Sequence, residues 1–417
     1  MTTFKKFLSG KVREPEADTA FTYVSLFSGA GVGDYGLKLA GGKCLAACEI
    51  DPNRRAVHTH NLNSPIWGNL RTDKENIISE LRNTEIDLLI ATPPCQSFST
   101  ANSRRGLLED PEHATRDDRN NLFFEALEVA RALQPKVIAF ENVPNFLKRK
   151  IRSGENGVTG KVEEFLRAAL IGYTGWCGVV CFSDLGAPQR RKRSIAVFVR
   201  NDWLARGGEG LAPPSNWPGK LNRVPKSILE AIGNVRQLDG GSEKTAVDPK
   251  DFLHQVPIYS ETHYRWIADI PPGSGKSAWE NSCETCGNTE TPMFSVICNQ
   301  CGANMLNRPH VVTGRDKIRA IKGFKTSYKR MPADAIAPTI TTASGHFSSD
   351  LKLHPIQNRV LSARECAILQ TVPYTFFWPK AQQYRKGYLA REMIGEAVPP
   401  LVTYRLGLAV ARLCATV

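Results

Sequence analysis

Short apolar segments alternate with helix-like stretches through the first half of this 417-residue chain. Each segment is continuously apolar and too short for a buried helix, which is typical of a strand covered on both faces. They lie at 22–27, 44–48, 86–91 and 136–140, and two more, at 178–182 and 194–199, are joined by a turn that indicates a hairpin. Strands that alternate with helices predict an α/β fold with a doubly wound, mostly parallel sheet.

The alternation ends near residue 203, where glycines and prolines at 207–219 indicate a boundary. Residues from about 215 to 360 are irregular and rich in Gly, Pro and Thr, which favours a smaller, loop-rich lobe. Helical periodicity returns at 362–371 and 401–413. We therefore expect a first domain at 1–210, a lobe at 211–375, and a segment at 376–417 that returns to the first domain.

The charge and the cysteine content restrict the class of protein. A formal net charge of +13 favours a polyanionic partner, although a merely basic globular protein is the alternative. No apolar run approaches the roughly 20 residues that span a bilayer, and the polar start lacks the apolar core of a secretory signal. Eleven scattered cysteines do not suggest a disulfide framework. We expect a reduced, cytoplasmic protein that does not associate with membranes.

The turn after the first apolar segment is rich in glycine. Gly29 and Gly31 allow a tight turn that a ligand can approach closely, but Asp34 occupies the place of the third glycine of a dinucleotide fingerprint. Glu49 follows Gly29 by twenty residues, at the end of the second segment, where a carboxylate can bind ribose hydroxyls. A structural turn is the alternative. With Glu49, the pattern favours a cofactor that contains adenosine without a pyrophosphate.

The segment at 86–91 ends in Thr92-Pro93-Pro94-Cys95. Proline cannot continue the hydrogen-bond ladder of a strand, so the pair ends the strand and stiffens the turn. Cys95 is therefore predicted at the carboxyl edge of the sheet, where open α/β folds build their active sites. Taken alone, a buried structural cysteine is the commoner role.

Seven short segments of the chain resemble, in the same order, the motifs of the DNA (cytosine-5)-methyltransferases. The resemblance extends over nearly the whole chain. The resembling segments are 27–31, 93–96, 121–125, 141–143, 189–193, 364–370 and 395–400. The family implies a Rossmann-like S-adenosylmethionine methyltransferase domain with a target-recognition lobe. It also implies transfer of a methyl group to C5 of a cytosine in double-stranded DNA, in a bacterial restriction–modification setting. The residues that would contact S-adenosylmethionine are Phe27, Gly29, Gly31, Glu49, Ile50, Asn69, Pro94, Leu122, Ala397 and Val398.

By the same resemblance Cys95 is the nucleophile that adds to cytosine C6, which makes C5 reactive towards a methyl donor. Glu141 would stabilise the charge that develops on the ring. Arg191 and Arg193 alternate on one strand face and would hold the cytosine and Glu141, whereas Arg190 and Lys192 point elsewhere.

DNA contacts are expected from two regions, because a base inside a duplex must be flipped out to react. Gln96, Ser97, Ser99 and Arg104 belong to a predicted closing loop, and Thr339 resembles the threonine that supports the flipped nucleotide in this family. The segment 317–330 carries only positive charges, interleaved with two aromatics, so Lys322 and Lys325 are predicted phosphate contacts. A solvated loop is the alternative for this segment.

Two CxxC-Gly knuckles lie within the predicted lobe. Four thiolates at this spacing can close a tetrahedral zinc site with no open position, and adventitious thiols are the alternative. We therefore predict one structural Zn²⁺ in a zinc-ribbon-like insert. Its predicted ligands are Cys283, Cys286, Cys298 and Cys301.

Several residues depart from the family pattern, and other functions remain open. Glu396 stands where the family has asparagine, Asn69 where it often has aspartate, and Tyr374 where aspartate is frequent. Asp73 is a second candidate for the adenine contact. A cytosine-5 methyltransferase that acts on RNA and a zinc-stabilised, non-catalytic DNA-binding protein are the alternative functions. The resemblance suggests a cognate restriction endonuclease in the same system, but we expect no stable protein partner and a monomer on DNA.

Overall fold

The computed structural model describes residues 4–11, 20–94, 120–153, 157–205, 211–315, 317–349, 351–378 and 388–415. The strands are β1 (Phe21–Leu26), β2 (Gly42–Cys48), β3 (Ile66–Trp67), β4 (Leu88–Ala91), β5 (Val137–Asn142), β6 (Lys150–Arg152), β7 (Thr159–Lys161), β8 (Tyr173–Cys181), β9 (Gln189–Arg190), β10 (Lys192–Arg200), β11 (His310–Gly314), β12 (Lys317–Ala320) and β13 (Ala337–Pro338). The helices are α1 (Phe4–Leu8), α2 (Val32–Leu39), α3 (Pro52–Leu62), α4 (Leu70–Leu81), α5 (Asn121–Leu133), α6 (Val162–Ala169), α7 (Asn201–Leu204), α8 (Ile228–Ile232), α9 (Glu261–Ala268), α10 (Ala363–Leu369), α11 (Tyr388–Glu396) and α12 (Pro400–Ala415).

Seven strands form one central sheet in the order β3-β2-β1-β4-β5-β10-β8. The strands from β3 to β5 pair in parallel. Strand β10 is antiparallel to both β5 and β8, so β8 runs in the same direction as the parallel strands. The predicted α/β fold and the predicted hairpin are confirmed.

Helices cover both faces of the sheet, which explains why its strands are continuously apolar. Helices α4, α5 and α6 contribute buried side chains to one core layer. On the opposite face, α2 packs against α12. A Cβ atom at Gly36 would lie 2.1 Å from the carbonyl oxygen of Pro400, so only glycine permits this close approach. Helices α2 and α12, which are distant in sequence, therefore pack together in the layer on this face of the sheet.

The irregular region contains only short helices and strands, and an aromatic cluster forms its core. Trp266 and Trp279 both meet Tyr328 edge to face. Two fully buried arginines, Arg308 and Arg330, donate hydrogen bonds mainly to backbone carbonyls of the surrounding loops. Loops that lack a strand or helix ladder need such partners for their buried carbonyl groups. The lobe therefore depends on buried guanidinium groups as well as on apolar packing.

The sequence did not predict every element. Strand β3 has two residues, too few to produce an apolar run, and α11 has a mixed composition. The helix predicted at 362–371 is α10, and that predicted at 401–413 is α12. Among the residues that the structure describes, every helix is too short or too polar to cross a membrane.

Candidate active site

The predicted cofactor loop and the predicted nucleophile turn meet at the edge of the sheet. Strands β1 and β4 are neighbours, and the strand order runs outward from them in opposite directions. Open α/β sheets bind ligands beyond the carboxyl ends of their strands at this switch point. Residues 27–31 follow β1 and residues 92–94 follow β4. The topology therefore brings two distant motifs to one place.

The cofactor loop has a left-handed backbone at three positions. The φ angles are 61° at Phe27, 56° at Gly29 and 75° at Gly31. A Cβ atom at Gly31 would lie 2.8 Å from the buried ring of His58, so this glycine is also required by close packing. The backbone of the loop is thereby held against α3.

Glu49 is fixed by backbone groups on both sides of the loop. Its two carboxylate oxygens accept hydrogen bonds from the N–H groups of Gly29 and Asp51, at 2.9 and 2.8 Å. Burial raises the pKa of the Glu49 carboxyl, while the hydrogen bond from Asp51 and the positive charge of Arg54 act in the opposite direction. Each oxygen keeps lone-pair capacity for a further donor such as a hydroxyl group.

Asn69 and Asp73 brace the turn between β3 and α4. The Asn69 Oδ1 atom accepts from the N–H of Arg71 at 3.1 Å and caps the helix. The Asp73 Oδ2 atom accepts from the N–H groups of Gly68 and Asn69, at 2.9 and 3.0 Å. Both candidates for the adenine contact therefore have a structural role in the same turn.

The other predicted cofactor residues lie on several elements. Ile50 is 68% exposed, and Val398 is buried where α12 begins, next to Gly33. The partly buried members of this set are Pro94, Leu122 and Ala397.

Hydrogen bonds from two neighbouring motifs fix the turn that leads to Cys95. The Thr92 hydroxyl donates to the carbonyl of Phe27 at 2.9 Å. The Asn142 side-chain N–H donates to the carbonyl of Pro93 at 2.7 Å. The cofactor loop, the proline turn and the end of β5 are therefore bonded to one another. Cys95 and the predicted DNA contacts of the closing loop, namely Gln96, Ser97, Ser99 and Arg104, lie outside the described residues.

Glu141 precedes Asn142 and lies at the same edge of the sheet. The Arg193 Nε atom is 3.1 Å from its Oε1 atom, and the side chains are 14% and 13% exposed. Burial raises the pKa of the Glu141 carboxyl, and the positive charges of Arg193 and Arg191 oppose this shift without cancelling it. Burial thus favours the neutral form of this carboxyl group, and the two guanidinium groups favour its ionised form.

Arg191 is completely buried and joins segments that are distant in sequence. Its guanidinium group donates to the carbonyls of Ile340 and Glu396, at 2.8 and 3.3 Å. The Thr339 hydroxyl donates to the carbonyl of Arg190 at 2.9 Å. Arg190 and Lys192 are exposed, as the strand pattern predicts. The segment 189–193 therefore connects the sheet to the lobe and to the end of α11.

Arg54 was missed by the sequence analysis. Its Nε and Nη2 atoms donate to the two carboxylate oxygens of Glu396, at 2.6 and 2.9 Å, and its Nη1 atom donates to Asp51 at 2.9 Å. Because Arg54 and Glu396 are 342 positions apart, no local pattern indicates this pair.

The basic segment 317–330 divides into two parts, and one part of the prediction was wrong. Lys322, Lys325 and Phe324 are exposed, with Phe324 at 76%. Tyr328 and Arg330 are buried, and Arg330 donates to carbonyls of Ile267 and Ile270. These two residues stabilise the lobe, so the expected nucleic-acid surface is limited to the exposed part.

The four predicted metal ligands form one cluster, and their sulfur atoms all lie within 4.8 Å of one another. The Sγ atoms of Cys283 and Cys301 are 3.7 Å apart, and those of Cys286 and Cys298 are 3.6 Å apart. A tetrahedral zinc site with bonds of about 2.3 Å requires sulfur separations of about 3.8 Å. The thiol geometry therefore fits Zn²⁺.

The two knuckles have the same local structure. The glycines that follow the pairs, Gly287 and Gly302, have φ angles of 74° and 73°. Their N–H groups donate to the carbonyls of Cys283 and Cys298, at 2.8 and 3.0 Å. This repeated turn explains why each CxxC pair is followed by glycine.

Comparison with solved structures identifies the fold. The chain matches a protein encoded within an E. coli prophage and described as a DNA modification methyltransferase, with a TM-score of 0.58 and 20% identity over 94% of this chain and 99% of that one. It also matches the S. pombe Dnmt2 methyltransferase, with a TM-score of 0.52 and 15% identity over 94% and 99% of the two chains. The fold is therefore a mixed α/β methyltransferase fold with a mostly parallel sheet.

Sequence comparison specifies the family. Residues 21–412 match the model of the C-5 cytosine-specific DNA methylases, so the chain belongs to this family and is a DNA (cytosine-5)-methyltransferase. It is 27% identical to the type II methyltransferase M1.HgaI of Avibacterium volantium over 91% of this chain and 95% of that one. It is 26% identical to M1.HphI of Haemophilus parahaemolyticus over 94% and 87%. S-adenosylmethionine is the expected cofactor of such an enzyme.

Proposed function

We propose that this enzyme transfers a methyl group from S-adenosylmethionine to C5 of a flipped-out cytosine in a specific double-stranded DNA sequence, through a covalent bond between Cys95 and C6. One observation carries this proposal. The turn that leads to Cys95 is hydrogen-bonded both to the cofactor loop through Thr92 and to the Glu141 strand through Asn142. The nucleophile, the methyl donor and the acid are thereby assigned to one edge of the sheet.

The cofactor would lie against the loop at 27–31, with Glu49 accepting from its ribose hydroxyls. When bound, it supplies an electrophilic methyl group. Gly29 leaves its side of the loop without a Cβ atom, whereas the space beside Gly31 is filled by His58 and Leu62. We assign the remaining contacts with S-adenosylmethionine to the other residues that the family resemblance predicts for this cofactor.

In the proposed reaction the Cys95 thiolate forms a bond to C6 while Glu141 donates a proton to the ring nitrogen N3. The electron pair of the C5–C6 double bond becomes available at C5, which would take the methyl group while the sulfonium sulfur keeps the electrons of the broken S–CH3 bond and leaves as a thioether. Removal of the C5 proton by a base then expels the thiolate and restores the C5–C6 double bond, and N3 returns its proton to Glu141. Burial raises the pKa of Glu141, which favours the protonated form that this step requires.

Arg193 lies 3.1 Å from Glu141, and in this proposal it would also contact the flipped base. Arg191 has a different part in this proposal, because its guanidinium group binds carbonyls of Ile340 and Glu396. It keeps the segment that contains Thr339 beside the start of β10, where the nucleotide would be supported. We assign base flipping and DNA contact to the closing loop, Lys322, Lys325 and Thr339.

We further propose that the four cysteines bind one structural Zn²⁺ in a zinc-ribbon-like insert of the lobe at 211–375. The sulfur separations fit a tetrahedral ion, and four protein ligands leave no position for a substrate. Arg308 connects the cluster to the rest of the lobe, because it donates to the carbonyls of Asn281 and Pro292, which flank the first knuckle. The metal would therefore hold the loops that lead into β11.

The function is tested by methyl incorporation from labelled cofactor into duplex DNA and into tRNA, with the full chain and its Cys95→Ser variant. We expect incorporation into duplex DNA only, and none with the variant. Bisulfite sequencing of DNA from cells that express the chain should locate every modified base at cytosines of one short sequence. Incorporation into tRNA alone would establish the RNA alternative, and no incorporation with a protein that binds duplex DNA would establish the non-catalytic one.

A further inference from the structure

The ion pair between Arg54 and Glu396 has no part in the reaction steps above. Two hydrogen bonds join the side chains, at 2.6 and 2.9 Å, and the side chains are 20% and 34% exposed. A bidentate pair of this kind can hold α3 against the end of α11, and it also places two charged groups side by side.

The position of the pair relates it to the cofactor loop. The Glu396 Oε1 atom lies 3.7 Å from the point that a Cβ atom of Gly29 would occupy. The N–H of Gly29 is bound by Glu49, and Arg54 lies in the first turn of the helix that follows Glu49. The pair is therefore next to the carboxylate proposed to bind the ribose.

The pair offers a cationic donor and an anionic acceptor side by side. Arg54 uses three of its five N–H donors, two on Glu396 and one on Asp51, and the described residues provide no partner for the other two. Each Glu396 oxygen accepts one of these bonds and keeps lone-pair capacity. A ligand that fits this arrangement carries a carboxylate and an ammonium group close together.

We propose that Arg54 and Glu396 together bind the amino-acid end of S-adenosylmethionine, with Arg54 donating to its carboxylate and Glu396 accepting from its ammonium group. This assignment rests on the cofactor site of the proposed function. The asparagine that the family has at position 396 offers a neutral amide. In this chain a charged pair, whose members come from opposite ends of the sequence, takes its place.

The test compares ligands that differ only in this end of the molecule. S-adenosylhomocysteine carries the amino-acid end, 5′-methylthioadenosine lacks it, and decarboxylated S-adenosylhomocysteine retains only the ammonium group. Binding of each to the full chain is measured by titration calorimetry. We expect Glu396→Gln and Arg54→Gln each to weaken S-adenosylhomocysteine binding about tenfold, the effect of one charge-assisted hydrogen bond, without changing methylthioadenosine binding. Glu396→Gln should also weaken binding of the decarboxylated ligand, and Arg54→Gln should weaken it much less.

Matched variants separate this assignment from other effects. Arg223→Gln removes an exposed ion pair with Glu230 and should change no affinity. Glu49→Gln should weaken both adenosine ligands, because both contain the ribose, and its failure to do so would contradict the proposed cofactor site itself. Glu396→Asn provides a milder substitution, and thermal unfolding shows whether each variant is folded. Unchanged S-adenosylhomocysteine binding, or equal weakening of methylthioadenosine binding, would overturn the role of the pair.

Discussion

Replacing Asn142 with alanine tests whether the end of β5 positions the nucleophile. The change removes the hydrogen bond to the carbonyl of Pro93 and the one that the Asn142 Oδ1 atom accepts from Val143, at 2.7 and 2.8 Å. Both Asn142 and Pro93 are buried, so water does not replace these bonds freely. Each lost partner costs about 1–3 kcal/mol, and we expect the free energy of unfolding to fall by about 2–4 kcal/mol in total.

The catalytic effect should exceed the effect on binding. A displacement of about 1 Å in a reacting group can reduce the rate about 100-fold, so we expect kcat to fall by about that factor. Binding of S-adenosylhomocysteine should persist, because the cofactor loop retains its contact with Thr92. Single-turnover methyl transfer, calorimetry and denaturant unfolding measure the three quantities at a temperature where the variant is folded.

Asn61→Ala is the matched control for this experiment. Asn61 is also buried, and it exchanges hydrogen bonds with Val57 and Phe377 at 2.8–2.9 Å, away from the proline turn. We expect a similar loss of stability with kcat maintained. If Asn142→Ala kept its full rate, or lost rate only in proportion to cofactor affinity, the positioning role would be refuted.

Three further predictions concern the metal, the basic segment and a buried ion pair. Replacing Cys283 and Cys298 together with serine should remove one zinc per chain and weaken duplex binding but not cofactor binding; metal analysis that finds no zinc in the wild type would refute the site. Replacing Lys322 and Lys325 with alanine should weaken binding to all duplexes and reduce the slope of log affinity against log salt by roughly 0.9 per lost contact; an unchanged slope would mark a solvated loop. Burial alone would raise the pKa of Glu365, but Arg359 lowers it to about 2 from the ordinary 4.5. The ion pair therefore stabilises the folded protein above about pH 4.5, and this stabilisation is lost as the pH falls towards 2. The difference in unfolding free energy between wild type and Glu365→Gln, about 3–5 kcal/mol near neutral pH, should therefore shrink on acidification; a constant difference would contradict the assignment.

Local patterns in the sequence predicted the sheet well. The strands are apolar because both faces are covered, and prolines or glycines end them, so the positions of β1, β4 and β5 could be derived from the sequence. The zinc knuckles could also be predicted from the sequence, because the spacing of their cysteines is local. The carboxyl-edge location of residues 92–94 followed from the strand alone.

Contacts between residues that are distant in sequence could not be predicted from local patterns. Arg330 belongs to a run of positive charges, and only the folded lobe shows that carbonyls of α9 and its following turn bind its guanidinium group. The pairing of Arg54 with Glu396 likewise depends on α11 reaching the cofactor loop. Charge patterns alone do not distinguish a buried guanidinium group from an exposed one.

The proposed attack of Cys95 on the cytosine ring can be observed by trapping the covalent complex. A duplex with 5-fluorocytosine at the target base should trap a covalent complex, because fluorine at C5 blocks the elimination that releases the enzyme. Peptide mapping by mass spectrometry should then locate the adduct at Cys95, and Cys95→Ser should form none. An adduct at Cys177, Cys181 or Cys366, or its complete absence with a protein active on the unmodified duplex, would contradict the account.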